Sequence, residues 1–336
     1  MKALITGGAG FIGSTLATRL LQRGSRILVL DDLSTGRLGN INHLVAHDGF
    51  TFVEGSVLDR DLVDDLASRV GTIFHLAAAV GVKTIIENPL ESLQTNVQGT
   101  ATVLAAAHRR GNRVLLTSTS EVYGKNPADA LREEDDRIFG SSLKSRWSYA
   151  EAKAVDESLA LAYWRQKGLP AVIARLFNTA GPRQSGRYGM VIPRFVDQAV
   201  RGEPLSVFGD GTQTRCFCYV GDVVDALVAL VQNSNADGTV VNIGRPEEIS
   251  IRALAERVVE LSGSTSPIRF VPYEQVYGAG FEDMARRVPD ISRARKLIGF
   301  DPRTGLDDIL RMVIRERVAA LNADASSMTL AVPVLR

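Results

Sequence analysis

The stretch TGGAGFIG, Thr6 to Gly13, lies between the apolar run KALIT and the helical pattern FIGSTLATRLLQRG. It sets Gly7, Gly10 and Gly13 where a strand must turn into a helix. Glycine suits that place because the backbone must turn tightly, approach a pyrophosphate closely and let the helix pack on the sheet. The helix N-terminus adds unpaired N–H groups that favour an anion. A glycine triplet alone is a weak signal, but here the run RILVLDD brings Asp31 and Asp32 to the end of a second strand about 20 residues on. A carboxylate there holds ribose hydroxyls and repels a 2′-phosphate, so the pattern points to NAD rather than NADP; Arg37 in STGR pulls the other way. Phe11 and Ile12 in the loop, with Leu76, Ala77 and Ala78 after the run TIFH, complete the expected cofactor surface.

Outward from the loop, short β-branched runs alternate with amphipathic stretches: FTFVEGS, DRDLVDDLASR, TIFHLAA, a long helix from about Pro89 to Arg110, and RVLLTS. That rhythm predicts βαβ units and an α/β, doubly wound parallel sheet of the Rossmann kind. A further helix is expected from Ser148 to about Lys167, closed by Gly168 and Pro170, before the strand AVIARLF. After Asn178 the pattern changes to a glycine- and arginine-rich loop, NTAGPRQSGRYGM, and then to shorter elements. The expected division is therefore a cofactor domain over 1–177, rejoined by 222–262. A smaller interleaved substrate domain takes 178–221 and 263–315, and 322–336 form a tail. DVVDALVALVQ and IRALAERVVELSG read as the helices that return to the first domain.

The 336 residues are 45% hydrophobic, enough for a large core. Lys plus Arg number 39 against 38 Asp plus Glu, so no global field attracts nucleic acid or an anionic membrane. No apolar run approaches the ~18–20 residues of a membrane span, and MKALITGGAG breaks into glycines before a secretory stretch develops. A cytoplasmic location is expected. Cys216 and Cys218 in TRCFCYV read as one strand with both thiols on one face, packed in the core or a pocket wall. His43 and His47 share a helical spacing without a third ligand, so no metal site is expected.

Tyr149 and Lys153 in SYAEAK stand four apart, on one helical face. A cation about 4 Å from a phenol favours its ionised form by ~1 kcal/mol in water and ~4 kcal/mol at an intermediate dielectric, so Lys153 is expected to lower the tyrosine pKa. YxxxK alone is common on helices. Its company here is the glycine loop and the hydroxyl-rich strand end VLLTSTSEVYG, with Thr119, Ser120 and Glu121. For Glu121 a plainer role stays open, as a salt-bridge partner of an arginine such as Arg146 or Arg183, or in shaping the turn.

TGGAGFIG, HLAA, STSEVYG, SYAEAK, RLFNTAGPR, GDGTQTRCF and RRVPDI occur in an order that resembles the extended short-chain dehydrogenase/reductases acting on nucleotide sugars, over nearly all of the chain to about residue 315. Within that family the chain looks most like UDP-glucuronate decarboxylases. The resemblance implies bound NAD, a nucleoside-diphosphate sugar as substrate and a homodimer through two helices per subunit. It implies Thr119, Tyr149 and Lys153 as the catalytic triad, with Ser120, Glu121 and Arg287 at the places that decarboxylases of the family combine. It puts Asn178, Arg183, Arg215 and Arg287 against the substrate or its phosphates; Arg287 serves equally as a plain diphosphate clamp. Ser56 stands where many relatives carry an aspartate near the adenine, and AAAVGVKTIIENP departs from the proline-rich loop usual in UDP-xylose synthases. The family's 4-keto chemistry branches, so a nucleotide-sugar 4-epimerase, a 4,6-dehydratase and a non-catalytic NAD-binding protein remain alternatives. Serine rather than aspartate before Glu121 leans towards decarboxylation.

Overall fold

The computed structural model describes residues 1–80, 88–186, 189–277 and 284–329. Seven parallel strands form the main sheet: β1 (Lys2–Thr6), β2 (Arg26–Asp31), β3 (Phe50–Glu54), β4 (Thr72–His75), β5 (Arg113–Thr119), β6 (Ala171–Leu176) and β11 (Val240–Ile243). Their order is β11-β6-β5-β4-β1-β2-β3. From β1 the chain runs outward through β2 and β3 and then crosses back to β4 on the other side of β1, so a crevice opens at the carboxyl ends of β1 and β4, where open α/β sheets bind ligands.

One face of the sheet is covered by α1 (Phe11–Gln22) and α6 (Val220–Gln232), and the other by α2 (Arg60–Ser68), α3 (Pro89–Arg110) and α4 (Ser148–Lys167). The ends of α3 and α4 follow from local chemistry. Pro89 opens α3, and Gly111 and Gly168 close the two helices in the left-handed conformation, with φ 69° and 68°. Glu157 of α4 receives Arg175 of β6 in a bidentate pair, at 2.9 and 2.8 Å, and Ser118 Oγ donates to it at 2.5 Å. Helix α4 is thereby locked to the two strands whose ends carry the site.

A second lobe has its own apolar cluster, built from α5 (Val191–Val200), α7 (Ile251–Ser262), β8 (Leu205–Phe208) and α10 (Leu306–Thr329). Small strand pairs surround it: β8 with β13 (Ile268–Val271), β9 (Thr214–Cys216) with β12 (Glu248–Ser250), and β10 (Cys218–Tyr219) with β7 (Thr179–Ala180).

Three local expectations differ from what is found. Helix α7 does not return to the main sheet: it follows β12 directly, and Ile251 and Arg252 donate to the Gln213 and Gly211 carbonyls, which pins its start in the second lobe. Conversely, α9 (Ser292–Ile298), expected in the substrate region, packs on the main sheet through Ile291, Ala294 and Phe300, and Arg293 caps the Val240 carbonyl at 2.8 Å. The TRCFCYV segment is two short strands in different sheets; both cysteines are buried, as free thiols. Of the expected tail, residues 322–329 continue α10, and the rest lies outside the described residues.

Candidate active site

Gly7 has φ 71°, and a Cβ there would lie 2.7 Å from the Ala77 backbone nitrogen. A Cβ on Gly13 would collide with the Gly7 carbonyl oxygen. Only glycine lets the loop between β1 and α1 lie this close to the end of β4. Asp31 closes the loop from the other side: its carboxylate accepts Ala9 N–H and Leu33 N–H, each at 2.9 Å. Burial pushes the Asp31 pKa above the usual carboxylate value, against those two hydrogen bonds. Asp32 is exposed and spends one oxygen on Ser34. Asn96 of α3 holds the segment after β4 by accepting Ala79 N–H at 2.8 Å and donating to the Ala79 carbonyl at 3.3 Å. Gly7, Gly10, Phe11, Ile12, Gly13, Asp31, Asp32, Leu76, Ala77 and Ala78 all line one cavity of about 680 Å³. Its glycine-walled approach to the α1 N-terminus, with a carboxylate at the far strand end, fits a dinucleotide.

The same cavity runs past the end of β5 into the second lobe, lined there by Thr119, Ser120, Glu121, Tyr149, Lys153, Asn178, Arg183, Arg215 and Arg287. Thr119 Oγ1 accepts Glu121 N–H at 3.2 Å and starts a 3-10 turn over Ser120–Tyr123. That turn presents the Glu121 carboxylate, which pairs with Arg146 Nη1 at 2.6 Å and faces Arg287 Nη1 at 3.5 Å. Arg287 also donates to Ser120 Oγ at 3.5 Å. Burial alone would raise the Glu121 pKa, but Arg146 and Arg287 outweigh it and hold the group at about 2. Arg146 lies over the Trp147 ring, 5.7 Å from its centroid. Of the two arginines weighed as salt-bridge partners, Arg146 makes the pair. Arg183 instead reaches the Asn40 carbonyl, while its own N–H meets the Glu316 carboxylate.

Tyr149 and Lys153 both face the cavity from α4, but the expected electrostatics are overturned. Lys153 Nζ is bound to the Asp156 carboxylate at 2.9 Å, with both side chains buried. The Tyr149 hydroxyl is pushed above its ordinary pKa, first by burial and then by the charges of Glu121 and Asp156. Burial, which the spacing of Tyr149 and Lys153 does not disclose, is the largest cause of the rise, and the two carboxylates add to it. Asp156 stood in plain view at i+3 from Lys153, one helical turn away.

On the substrate side, Asn178 Nδ2 donates to the Cys216 carbonyl at 3.1 Å, and Arg215 Nη1 to the Thr214 carbonyl at 2.7 Å. Arg194 stacks on Phe208, 3.7 Å from the ring centroid, and Gln213 donates to Tyr273 Oη at 2.9 Å. Phe208 and Gln213 lie in LSVFGDGTQT and Arg194 and Tyr273 outside it, and none of the four carries a sequence signal of its own. Ser56 accepts Leu58 N–H and does not line the cavity, although Gly55 and Val57 do. Residues 81–87, where the proline-poor loop departs from UDP-xylose synthases, lie outside the described residues. Among the described residues no cluster of ligands for a metal ion occurs.

Residues 3–244 match the family model described as the NAD dependent epimerase/dehydratase family. The chain is 41% identical over 315 residues to the UDP-N-acetyl-alpha-D-glucosaminuronate decarboxylase of Bacillus cytotoxicus, covering 94% of this chain and 97% of that protein. It is 40% identical over 314 residues to UDP-glucuronic acid decarboxylase 1 of Danio rerio, covering 94% and 72%. Among solved structures, the UDP-glucuronic acid 4-epimerase of Bacillus cereus, in complex with UDP-glucuronic acid and NAD, aligns with a TM-score of 0.86 at 30% identity, over 95% of this chain and 100% of that one.

Proposed function

The chain belongs to the NAD-dependent epimerase/dehydratase family, and from that premise we propose that it decarboxylates a UDP-hexuronate, UDP-glucuronate first, without net redox change. The observation that carries the reading is the Ser120–Glu121–Arg287 cluster at the end of β5, with Arg146 beside it. Three guanidinium groups, of Arg146, Arg215 and Arg287, act on the Glu121 carboxylate, so the sugar end of the cavity is equipped to hold carboxylates. A uronate presents such groups with a carboxylate to bind; a hydroxymethyl sugar does not.

Bound NAD, which the Gly7–Gly13 loop and Asp31 would hold, would supply the hydride acceptor and donor for sugar C4. Tyr149 receives the proton of the 4-hydroxyl, and the Thr119 hydroxyl, whose oxygen already accepts Glu121 N–H, is free to donate to the same sugar oxygen. Burial, Glu121 and Asp156 hold Tyr149 protonated, so a cation in the cavity must oppose them, and the charge of an oxidised nicotinamide has that sign. The 4-ketone makes the C6 carboxylate a β-keto acid. Carbon dioxide leaves, the C5–C6 bond electrons remain as an enolate, and the enolate takes up at C5 the one proton that the net reaction consumes from solvent. Held near pKa 2, Glu121 is ionised at neutral pH and acts as an acceptor and fixed charge, not as the C5 acid. Arg287 and Ser120 orient the carboxylate end.

The same reading carries a homodimer through α3 and α4, supported by the exposed apolar side chains of Leu90 and Val155 on those helices. It also carries a cytoplasmic location, which the buried free thiols suit.

The test is turnover of the purified protein with UDP-glucuronate, UDP-N-acetylglucosaminuronate and UDP-glucose, read by product mass. Loss of one carbon dioxide from a uronate without added NADH supports the proposal, and abolition in Tyr149→Phe ties it to this site. A product isomeric with its substrate makes the enzyme a 4-epimerase instead. The two uronates separate substrates that differ at C2, as the two decarboxylase relatives do by name.

A further inference from the structure

A chain of buried polar groups runs from the first strand to the catalytic helix. Ala77 N–H donates to Thr6 Oγ1 at 3.2 Å, and Thr6 Oγ1 lies 2.7 Å from His75 Nδ1. His75 Nε2 lies 3.0 Å from Thr100 Oγ1. Burial raises the Asp156 pKa, opposed by Lys153 and then by the Thr100 hydroxyl, and the carboxylate accepts from Lys153 Nζ at 2.9 Å. Thr6, His75, Thr100, Asp156 and Lys153 are each no more than 2% exposed.

Burial and then the Lys153 charge lower the His75 pKa to about 3, so the ring is neutral and carries one N–H. That N–H serves one of its two hydroxyl neighbours, Thr6 or Thr100, and the other hydroxyl donates to the remaining ring nitrogen. At the end of the row one Asp156 oxygen meets the buried Lys153 ammonium, which needs a counterion there, while the other, Oδ1, has no hydrogen-bond partner among the described residues.

We propose that Asp156, oriented by Thr100 and His75, is a positioning residue that fixes the Lys153 ammonium and sets the pH at which Tyr149 gives up its proton. This inference rests on the reading of Tyr149 as the base for the 4-hydroxyl. The charged and titratable groups around Tyr149 are Glu121 from the turn after β5, Arg146 before α4, and Lys153 and Asp156 on α4 itself. Around Asp156 they are Lys153, Glu157 paired to Arg175, and neutral His75 behind Thr100. Asp156 opposes the charge of Lys153 beside it, and its own charge disfavours the Tyr149 phenolate. The arrangement holds the lysine in place at the cost of a higher working pH for the base.

The test compares the holoenzyme with Asp156→Asn and Thr100→Val. In Asp156→Asn the acid limb of the kcat–pH profile is expected about one pH unit lower, the size for a unit charge several ångströms away at an intermediate effective dielectric. The ultraviolet difference absorbance of tyrosinate, with Tyr149→Phe as the subtraction, is expected to move with it and needs no turnover. Thr100→Val keeps the Asp156 charge but removes its orienting hydroxyl, so kcat falls several-fold at unchanged KM for the sugar nucleotide, and Thr100→Ser restores it. An acid limb and a tyrosinate titration that both ignore Asp156→Asn overturn the proposal. Should Asp156→Asn fail to fold, Thr100→Val decides: an unchanged kcat in the folded variant overturns it. If wild-type protein turns over no sugar nucleotide while the tyrosinate titration still responds to Asp156, the assigned reaction fails and the positioning role stands.

Discussion

Replacing Glu121 by glutamine removes the one negative charge between two buried guanidinium groups. The Glu121 side chain is 16% exposed, and those of Arg146 and Arg287 are 6% and 9% exposed. Its pKa falls from the ordinary 4.5 to about 2 in the fold. That depression corresponds to about 3 kcal/mol of stability. Breaking a buried ion pair by deleting one partner gives a similar figure, roughly 3–5 kcal/mol. Because the folded pKa is the lower one, this stability is fully present above the unfolded pKa and is lost as pH falls towards about 2. Urea unfolding of wild type and Glu121→Gln is therefore expected to differ by about 3 kcal/mol at neutral pH and by less than half of that near pH 3. Equal midpoints at neutral pH, or a difference that stays flat as the pH is lowered, would refute the assignment of Glu121 as an ionised bridge. Turnover should fall with the substitution, but the stability difference tests the electrostatics whatever the substrate proves to be.

Glu157→Gln should cost about 3–5 kcal/mol, since it leaves Arg175 buried without its bidentate partner; chemical denaturation reads this, and a joint Glu157→Leu, Arg175→Met replacement should recover much of it. Asp31→Asn should raise the affinity for NADP relative to NAD about tenfold, through the lost repulsion of a 2′-phosphate. A ratio of dissociation constants unchanged from wild type would mean that Asp31 serves only to tie down Ala9 and Leu33.

The glycine loop, the carboxylate ending β2, and the bounds of α3 and α4 were legible in the chain because their causes are short-range. A left-handed Gly111 or Gly168 ends a helix whatever lies around it, and a loop that must pass 2.7 Å from another backbone tolerates no side chain. The positions of Thr119, Tyr149 and Lys153 on one cavity wall follow from a strand end and a helical repeat. What folding alone decided is how those groups are charged. Glu121 meets Arg146 across 25 residues and Arg287 from the far end of the chain, and the pairing depends on how the second lobe closes over the end of β5. Lys153 is sequence neighbour to both Tyr149 and Asp156, yet only the packing of α3 and β4 against α4, with Thr100 and His75 behind Asp156, turns its charge towards the carboxylate. Helical repeats and glycine patterns are properties of consecutive residues, whereas desolvation and ion pairing are set by whatever the rest of the molecule brings within a few ångströms.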